Sequence, residues 1–362
     1  MSTLPPPSPD SRRDLLGASL AEIAEALVPL GEPRYRARQL WEAIHRRGVI
    51  DLAAMTELPL GLRERLQSSF VLALPEIAER HRSADGTCKL LLRLRDGASI
   101  EAVDIPDRER RTICLSSQAG CALACRFCVT GYWGAGRDLT AGEILGQVWA
   151  ICPPGPDRNE RLNLVFMGMG EPLLNLVALR TALELLAETI PWRRMTVSTA
   201  GIVPGIDALA TWPARPNLAV SLHAPDDARR EQLMPINRSY PLGELFAALR
   251  RYPLEPRRRI TFEYLLVDRF NDRPSDADAL AARLRGLKAK VNLIPLNPDP
   301  VLPAEWRPPQ PATVEEFQHR LMRHGLTATV RRRRGDAVSA ACGQLRAFGR
   351  PPRGFRRSQL SF

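Results

Sequence analysis

The stretch TICLSSQAGCALACRFCVTG, residues 112–131, decides how this chain is read, because it runs from a short apolar strand into a loop that holds three cysteines. Thr112 to Ser117 has the β-branched, apolar composition of a buried strand. After it, Cys121, Cys125 and Cys128 fall within eight residues in a C-x-x-x-C-x-x-C spacing, tight enough for three sulfurs to face one point. Three thiolates are soft ligands, suited to zinc or to an iron–sulfur cluster. A structural zinc site takes four protein ligands and this loop supplies three, so a cube with one open iron fits better. Cys114, seven residues upstream of Cys121, keeps a closed zinc site as the alternative.

Downstream the pattern of strand, loop and helix repeats. LNLVFMG, RMTVSTA, NLAVSLHA, RITFEYLLV and KVNLIPL are short apolar runs separated by helical stretches, and with TICLSS they make six strands. Six strands alternating with helices predict a parallel α/β fold, an open sheet or a barrel of (β/α) units. ATVRRRRGD reads as a further strand entering a basic loop, and no internal repeat is visible. The residues that follow the strands are Cys121 to Cys128, then Gly168 to Glu171, Ser198, Ser221 with His223, and Asn297. In parallel α/β folds that end of the sheet carries the active site. Taken alone, Glu171 is a helix-start carboxylate, Ser198 a cap, His223 a buried imidazole and Asn297 a turn residue. Their shared placement at strand ends favours the functional reading.

Upstream, residues 1–13 are Pro/Ser-rich and expected to be disordered. LAEIAEALVPL, RYRARQLWEAIHRRG and LPLGLRERLQSSF carry apolar residues at helical spacing, a small helical domain assigned to 14–75. KLLLRLRDGASIEAVDIP reads as two strands joined at Asp96-Gly97, a β extension over 76–106. The main domain then covers 107–345, and 346–362 is a basic flexible tail.

The whole chain has 362 residues, 44% hydrophobic and 25% charged, with no apolar run near the ~20 residues that span a bilayer. The opening MSTLPPPSPDSRRDLL lacks the apolar core of a secretory signal, so a cytoplasmic protein away from membranes is expected. Lys and Arg exceed Asp and Glu by 51 to 40, a net +11 that favours a polyanionic partner such as nucleic acid. Arg34, Arg36, Arg38, Arg46 and Arg47 around one helix are either part of such a surface or a solvated face. Seven cysteines, an odd number, argue for metal or thiol chemistry rather than a disulfide framework. Cys88 and Cys152 fit no motif and read as buried thiols.

The strings SSQAGCALACRFCVTG, FMGMGEPLLN, VSTAGIVPGI, SLHAPDD, LMPINR, LIPLNP and AACGQL, in this order, resemble the RlmN/Cfr family of radical S-adenosylmethionine (SAM) RNA adenine methyltransferases, and within it the RlmN branch. The resemblance runs from about Leu20 to Leu345 and departs from the family pattern at Val129, Arg137-Asp138 and Val338-Ser339, none of them a proposed ligand. It implies a partial (β/α)6 barrel in which Cys121, Cys125 and Cys128 hold one [4Fe-4S] cluster, whose open iron binds SAM. Gly170 and Glu171 would meet the cofactor's amino group, and Ser198, Ser221, Leu222, His223 and Asn297 would line the rest of it.

The resemblance also implies the chemistry. Adenine C2 is not a nucleophile, so a first SAM methylates the Cys342 thiolate. A second is cleaved reductively, the 5′-deoxyadenosyl radical takes hydrogen from the Cys342 methyl group, and the carbon radical adds to adenine. Glu101 removes the ring proton, and Cys114 resolves the protein–RNA adduct as a disulfide with Cys342. The implied substrates are adenine 2503 of 23S rRNA and adenine 37 of tRNA. An electron donor such as flavodoxin or ferredoxin and a monomeric enzyme are expected. Arg331 to Arg334 would contact RNA phosphates beside Cys342. A Cfr-like enzyme acting at C8 is the near alternative, and a zinc-stabilised, noncatalytic RNA-binding protein the distant one.

Overall fold

The computed structural model describes residues 12–107, 110–153, 161–331 and 343–345. Cys342, Arg332 to Arg334, Val338-Ser339 and the tail 346–362 lie outside the described residues.

Three helices form the N-terminal part. Helix α1 (Leu20–Leu27) starts on a reciprocal cap, in which Ser19 Oγ accepts the Glu22 N–H and the Glu22 carboxylate accepts the Ser19 N–H. Helix α2 (Arg34–His45) buries Ala37, Leu40 and Ile44, and α3 (Leu60–Ser69) buries Leu62 and Leu66, as helical spacing predicts. The two-residue strands β1 (Arg13–Asp14) and β2 (Phe70–Val71) pair in parallel and tie the ends of this part together. Arg13 belongs to the stretch expected to be disordered, yet it is part of a strand because it gains a backbone partner, Phe70, that local composition does not encode.

One open sheet of ten strands runs β3 to β12 in spatial order. Strands β3 (Glu76–Arg82), β4 (Cys88–Arg93) and β5 (Ser99–Asp107) form an antiparallel meander that leads into β6 (Arg110–Cys114). From β6 onward all pairing is parallel, through β7 (Arg161–Phe166), β8 (Met195–Thr199), β9 (Asn217–Ser221), β10 (Ile260–Leu266), β11 (Ala289–Pro295) and β12 (Thr327–Val330). The six strands read from the sequence are β6 to β11, and ATV continues as β12. Strand β3, EIAERHR, escapes sequence reading because it alternates no apolar face.

The crossovers carry α4 (Val129–Trp133), α5 (Ala141–Ile151), α6 (Leu176–Leu186), α7 (Val203–Ala210), α8 (Asp227–Leu233), α9 (Leu242–Arg251), α10 (Pro274–Leu284) and α11 (Pro311–Arg323). Strand β10 shows how the two faces divide. Phe262 stacks on Phe246 of α9 and Tyr264 on Phe317 of α11, with centroids 5.8 and 5.4 Å apart. The alternate residues Glu263 and Leu265 therefore turn to the concave side. The N-terminal part meets the sheet layer at α5, where a Cβ on Gly142 would strike the Leu16 carbonyl, so only glycine allows this crossing.

Candidate active site

A cavity of about 920 Å³, counting its open mouth, lies at the C-terminal ends of the parallel strands. It is lined by Cys121, Cys125, Cys128, Gly170, Glu171, Ser198, Ser221, His223 and Asn297, so residues spread over 177 positions converge as the strand-end argument expects. Leu222, Cys114 and Glu101 do not line it. The Leu222 side chain is fully buried in the apolar core and contributes backbone only. Cys114 is buried on β6, apart from the other three thiols, so it does not complete a four-thiol set with them.

The cysteine loop is held by its own backbone. Cys121 N–H donates to Gly134 O at 2.9 Å, Cys128 N–H to Cys125 O at 3.1 Å, and Arg126 N–H to Leu233 O at 2.9 Å. Burial pushes the Cys121 thiol up to about 11, helped by the charges of Cys128 and Glu171. It also raises Cys125 and Cys128, and for Cys125 the other two thiols add to the effect. Three crowded thiolates are stable only around a cationic centre. Among the described residues no three His, Cys, Asp or Glu side chains are grouped closely enough to hold a single metal ion. Three thiolates of one loop lining one cavity are the soft donor set that holds an iron–sulfur cluster. The segment beyond Cys342 closes over the same loop, with Val129 N–H donating to Gly343 O at 2.6 Å and Thr130 Oγ1 to Leu345 O at 2.7 Å.

Gly170 has φ +95°, and a Cβ there would lie 2.5 Å from Gln118 Cβ. Gln118 Oε1 in turn accepts the Glu171 N–H at 2.8 Å. Glu171 is buried and bridges two loops, one oxygen accepting from Leu173 N–H at 3.0 Å and the other from Ala200 N–H at 2.7 Å. Burial pushes its carboxyl up to about 7 against these bonds. His223 sits in left-handed backbone at φ 59°. Its Nδ1 accepts the Leu265 N–H at 3.0 Å and its ring meets Phe127 edge-on. Burial, then the Arg230 charge, pushes it down to about 3, so the imidazole is neutral.

Sequence reading missed Arg230 and Glu263, and it gave Arg331 to RNA phosphates without placing it in the cavity. Arg230 is wholly buried and donates to the carbonyls of Ala200 at 2.6 Å and Leu222 and Ser221 at 3.2 Å, and to Asn237 Oδ1 at 2.8 Å. It fixes the loops after β8 and β9, yet DARREQL looks like any charged helix. Glu263 and Arg331 line the cavity, and Asn292 Nδ2 donates to Glu263 at 2.7 Å. The run Ile-Thr-Phe-Glu in β10 carries the signal, a carboxylate at a concave-facing position. Glu101 is fully buried on β5. Among the helix α2 arginines, Arg36 pairs with Glu32, Arg38 with Glu42, Arg46 with Glu42 and Glu188, and Arg47 with Glu57. That face is therefore less positive than its arginine count implies.

Residues 115–279 match the family model of the radical SAM superfamily, and residues 13–72 that of the ribosomal RNA large subunit methyltransferase N-terminal domain. The dual-specificity RNA methyltransferase RlmN of Anaeromyxobacter dehalogenans (strain 2CP-C) is 45% identical over 352 residues, 94% of each chain. That of Marinobacter nauticus (strain ATCC 700491 / DSM 11845 / VT8) is 44% identical over 356 residues, 96% of this chain and 95% of the relative. A crystal structure of a radical SAM methyltransferase from Sphaerobacter thermophilus superposes with TM-score 0.84 at 45% identity, covering 92% of this chain and 99% of that one.

Proposed function

The chain belongs to the RlmN family, and from that membership we propose that it methylates adenine C2 in RNA, at adenine 2503 of 23S rRNA and adenine 37 of tRNA, through a methylated Cys342. The observation that carries the reading is the convergence of the three cysteines, Gly170-Glu171, Ser198, Ser221, His223 and Asn297 on one cavity that Gly343, the neighbour of Cys342, also lines.

Cys121, Cys125 and Cys128 would hold the cluster, with Glu171 and Gly170 at the amino group of SAM and Ser198, Ser221, His223 and Asn297 along its remaining length. Bound together, cluster and SAM supply one-electron chemistry able to take a hydrogen atom from an unactivated methyl group. Cys342 contributes that methyl group, having accepted it as a thiolate. Glu101 takes the ring proton from the carbon-linked adduct, whose odd electron would return to the cluster. Cys114, as a thiolate, attacks the Cys342 sulfur, forming the S–S bond and leaving the carbon with its electron pair, which takes up a proton to become the methyl group of the product. An electron donor of the flavodoxin or ferredoxin class and a reductant for the disulfide complete the cycle. We place the enzyme in the cytoplasm as a monomer. Among the described residues no helix is long and apolar enough to cross a membrane.

Nucleoside mass spectrometry of a 23S rRNA fragment and of tRNA, after anaerobic reaction with reconstituted protein, reductant and SAM, tests this. The expected product is 2-methyladenosine in both. 8-Methyladenosine would move the chain to Cfr-like regiochemistry, and an unmodified rRNA fragment with a full cluster would overturn the rRNA assignment.

A further inference from the structure

Lys89 Nζ lies 3.0 Å from Glu101 Oε1, and the two side chains are 2% and 0% exposed. Strand register puts this pair on the same face as Cys114. Val103 of β5 stands opposite Cys114 of β6, and Lys89 of β4 stands opposite Val103. Opposed residues share a face, as do residues two apart along a strand, so Lys89, Glu101, Val103 and Cys114 stand on one side of the sheet. The Glu101 backbone is tied to the loops that border the cavity. Its N–H meets Met169 Sδ at 3.3 Å, and its carbonyl accepts Ser116 Oγ at 2.7 Å.

A buried ion pair stabilises little compared with apolar side chains of the same volume, whereas a buried carboxylate that loses its cation is left at high cost. Packing alone therefore gives no reason for this pair. We propose that Lys89 is the positioning residue that keeps Glu101 ionised and fixed in place as the acceptor of the adenine ring proton. This rests on the reading of Glu101 as the base. In that step the proton leaves the ring carbon for a Glu101 carboxylate oxygen, the C–H electron pair returns to the ring, and the odd electron of the adduct would pass to the oxidised iron–sulfur cluster.

Of the other titratable groups on this face of the neighbouring strands, His81 of β3 stands opposite Lys89 and Glu79 opposite Leu91, the residue that opposes Glu101. His81 and Glu79 pair with each other at 2.8 Å with side chains 38% and 46% exposed, unlike the wholly buried Lys89 and Glu101, and Glu76 pairs with Arg93 of β4 at 3.4 Å. Asp107, Arg110 and Arg161 lie at the far ends of β5, β6 and β7. Cys114 is the thiol of the same face, and Glu171 turns to the N–H groups of Leu173 and Ala200.

The test uses full-length Lys89→Met with Lys89→Arg and Glu101→Gln. The acid limb of single-turnover methylation should move up by about 1–3 pH units in Lys89→Met, with covalent protein–RNA adduct accumulating below it, and return toward wild type in Lys89→Arg. Infrared spectra of the cofactor-free protein should show a protonated carboxyl band at neutral pH in Lys89→Met that vanishes in Lys89→Met/Glu101→Gln. If Lys89→Met does not fold, Lys89→Gln keeps a hydrogen-bond donor without the charge and should show the same shift. An unmoved acid limb and no protonated band overturn the role of Lys89 and leave Glu101 as the base. Wild-type methylation by Glu101→Gln overturns the base reading itself, and the role of Lys89 with it.

Discussion

His45 Nε2 lies 3.0 Å from the carbonyl oxygen of Ala18, and its ring sits between Trp41 and Trp149, with centroids 5.4 and 6.3 Å away. A carbonyl can only accept, so Nε2 carries the hydrogen. The contact joins the N-terminal helices to α5. Burial pushes the imidazole down to about 4 from the ordinary 6.5, against the Ala18 bond that favours its charged form.

The folded state therefore resists protonation of His45 while the unfolded chain accepts it. Stability from this group is complete above pH 6.5 and is lost as pH falls from 6.5 to about 4, some ~3 kcal/mol in all. Urea denaturation at several pH values should show that loss in wild type and a flatter profile in His45→Gln, which keeps a donor for Ala18. Parallel profiles in the two proteins would show that His45 is not the titrating group.

Arg230 makes a different kind of joint. Its guanidinium is held at about 10 by burial yet stays charged at neutral pH, spread over three carbonyls and Asn237. Arg230→Met fills the volume and leaves those acceptors buried without donors, so it should cost about 3 kcal/mol and loosen the loops that carry Ala200 and Ser221. Calorimetric melting should report the stability loss, and equilibrium titration a weakened affinity for SAM. A variant that melts like wild type would contradict the buried network.

The parallel strands were legible because each is a short apolar run, and the cavity was legible because its chemistry follows strand ends. What escaped depends on distant partners. Arg13 is ordered through Phe70, and the burial of Arg230 is decided by carbonyls of two other loops. The burial of Glu101 and its partner are not written in SIEAVDIP, since only the register with β4 brings Lys89 to it. Leu222 is placed differently from its neighbours. Its neighbours Ser221 and His223 reach the cavity while strand alternation sends its side chain to the core.

Gly170 should tolerate no side chain. Its φ of +95° strains any L residue, and the added carbon would meet Gln118, the acceptor for the Glu171 N–H. Gly170→Ala should therefore displace Glu171 and weaken SAM binding at least tenfold, with a stability loss of about 1–3 kcal/mol. Equilibrium dialysis with labelled SAM and a thermal melt measure the two effects. Unchanged SAM binding would mean that this loop does not shape the cofactor subsite.

The three loop thiols give the most direct check on the metal. Burial raises Cys121, Cys125 and Cys128 above the ordinary thiol range in the metal-free protein, repulsion from neighbouring thiols adding for Cys121 and Cys125, and Cys121 reaches about 11. Cluster binding must expel those protons, so reconstitution should strengthen as pH rises. In chelator-stripped protein, alkylation of Cys121 should be slow at pH 7, because little thiolate is present, and accelerate toward pH 11. In loaded protein it should be blocked throughout. Cys121→Ala, Cys125→Ala and Cys128→Ala should each lose most of the roughly four irons expected per chain, whereas Cys114→Ala, whose thiol lies outside the cavity, should keep them. Loss of iron in Cys114→Ala equal to that in the other three would make it a fourth ligand and return the site to a closed four-thiol centre.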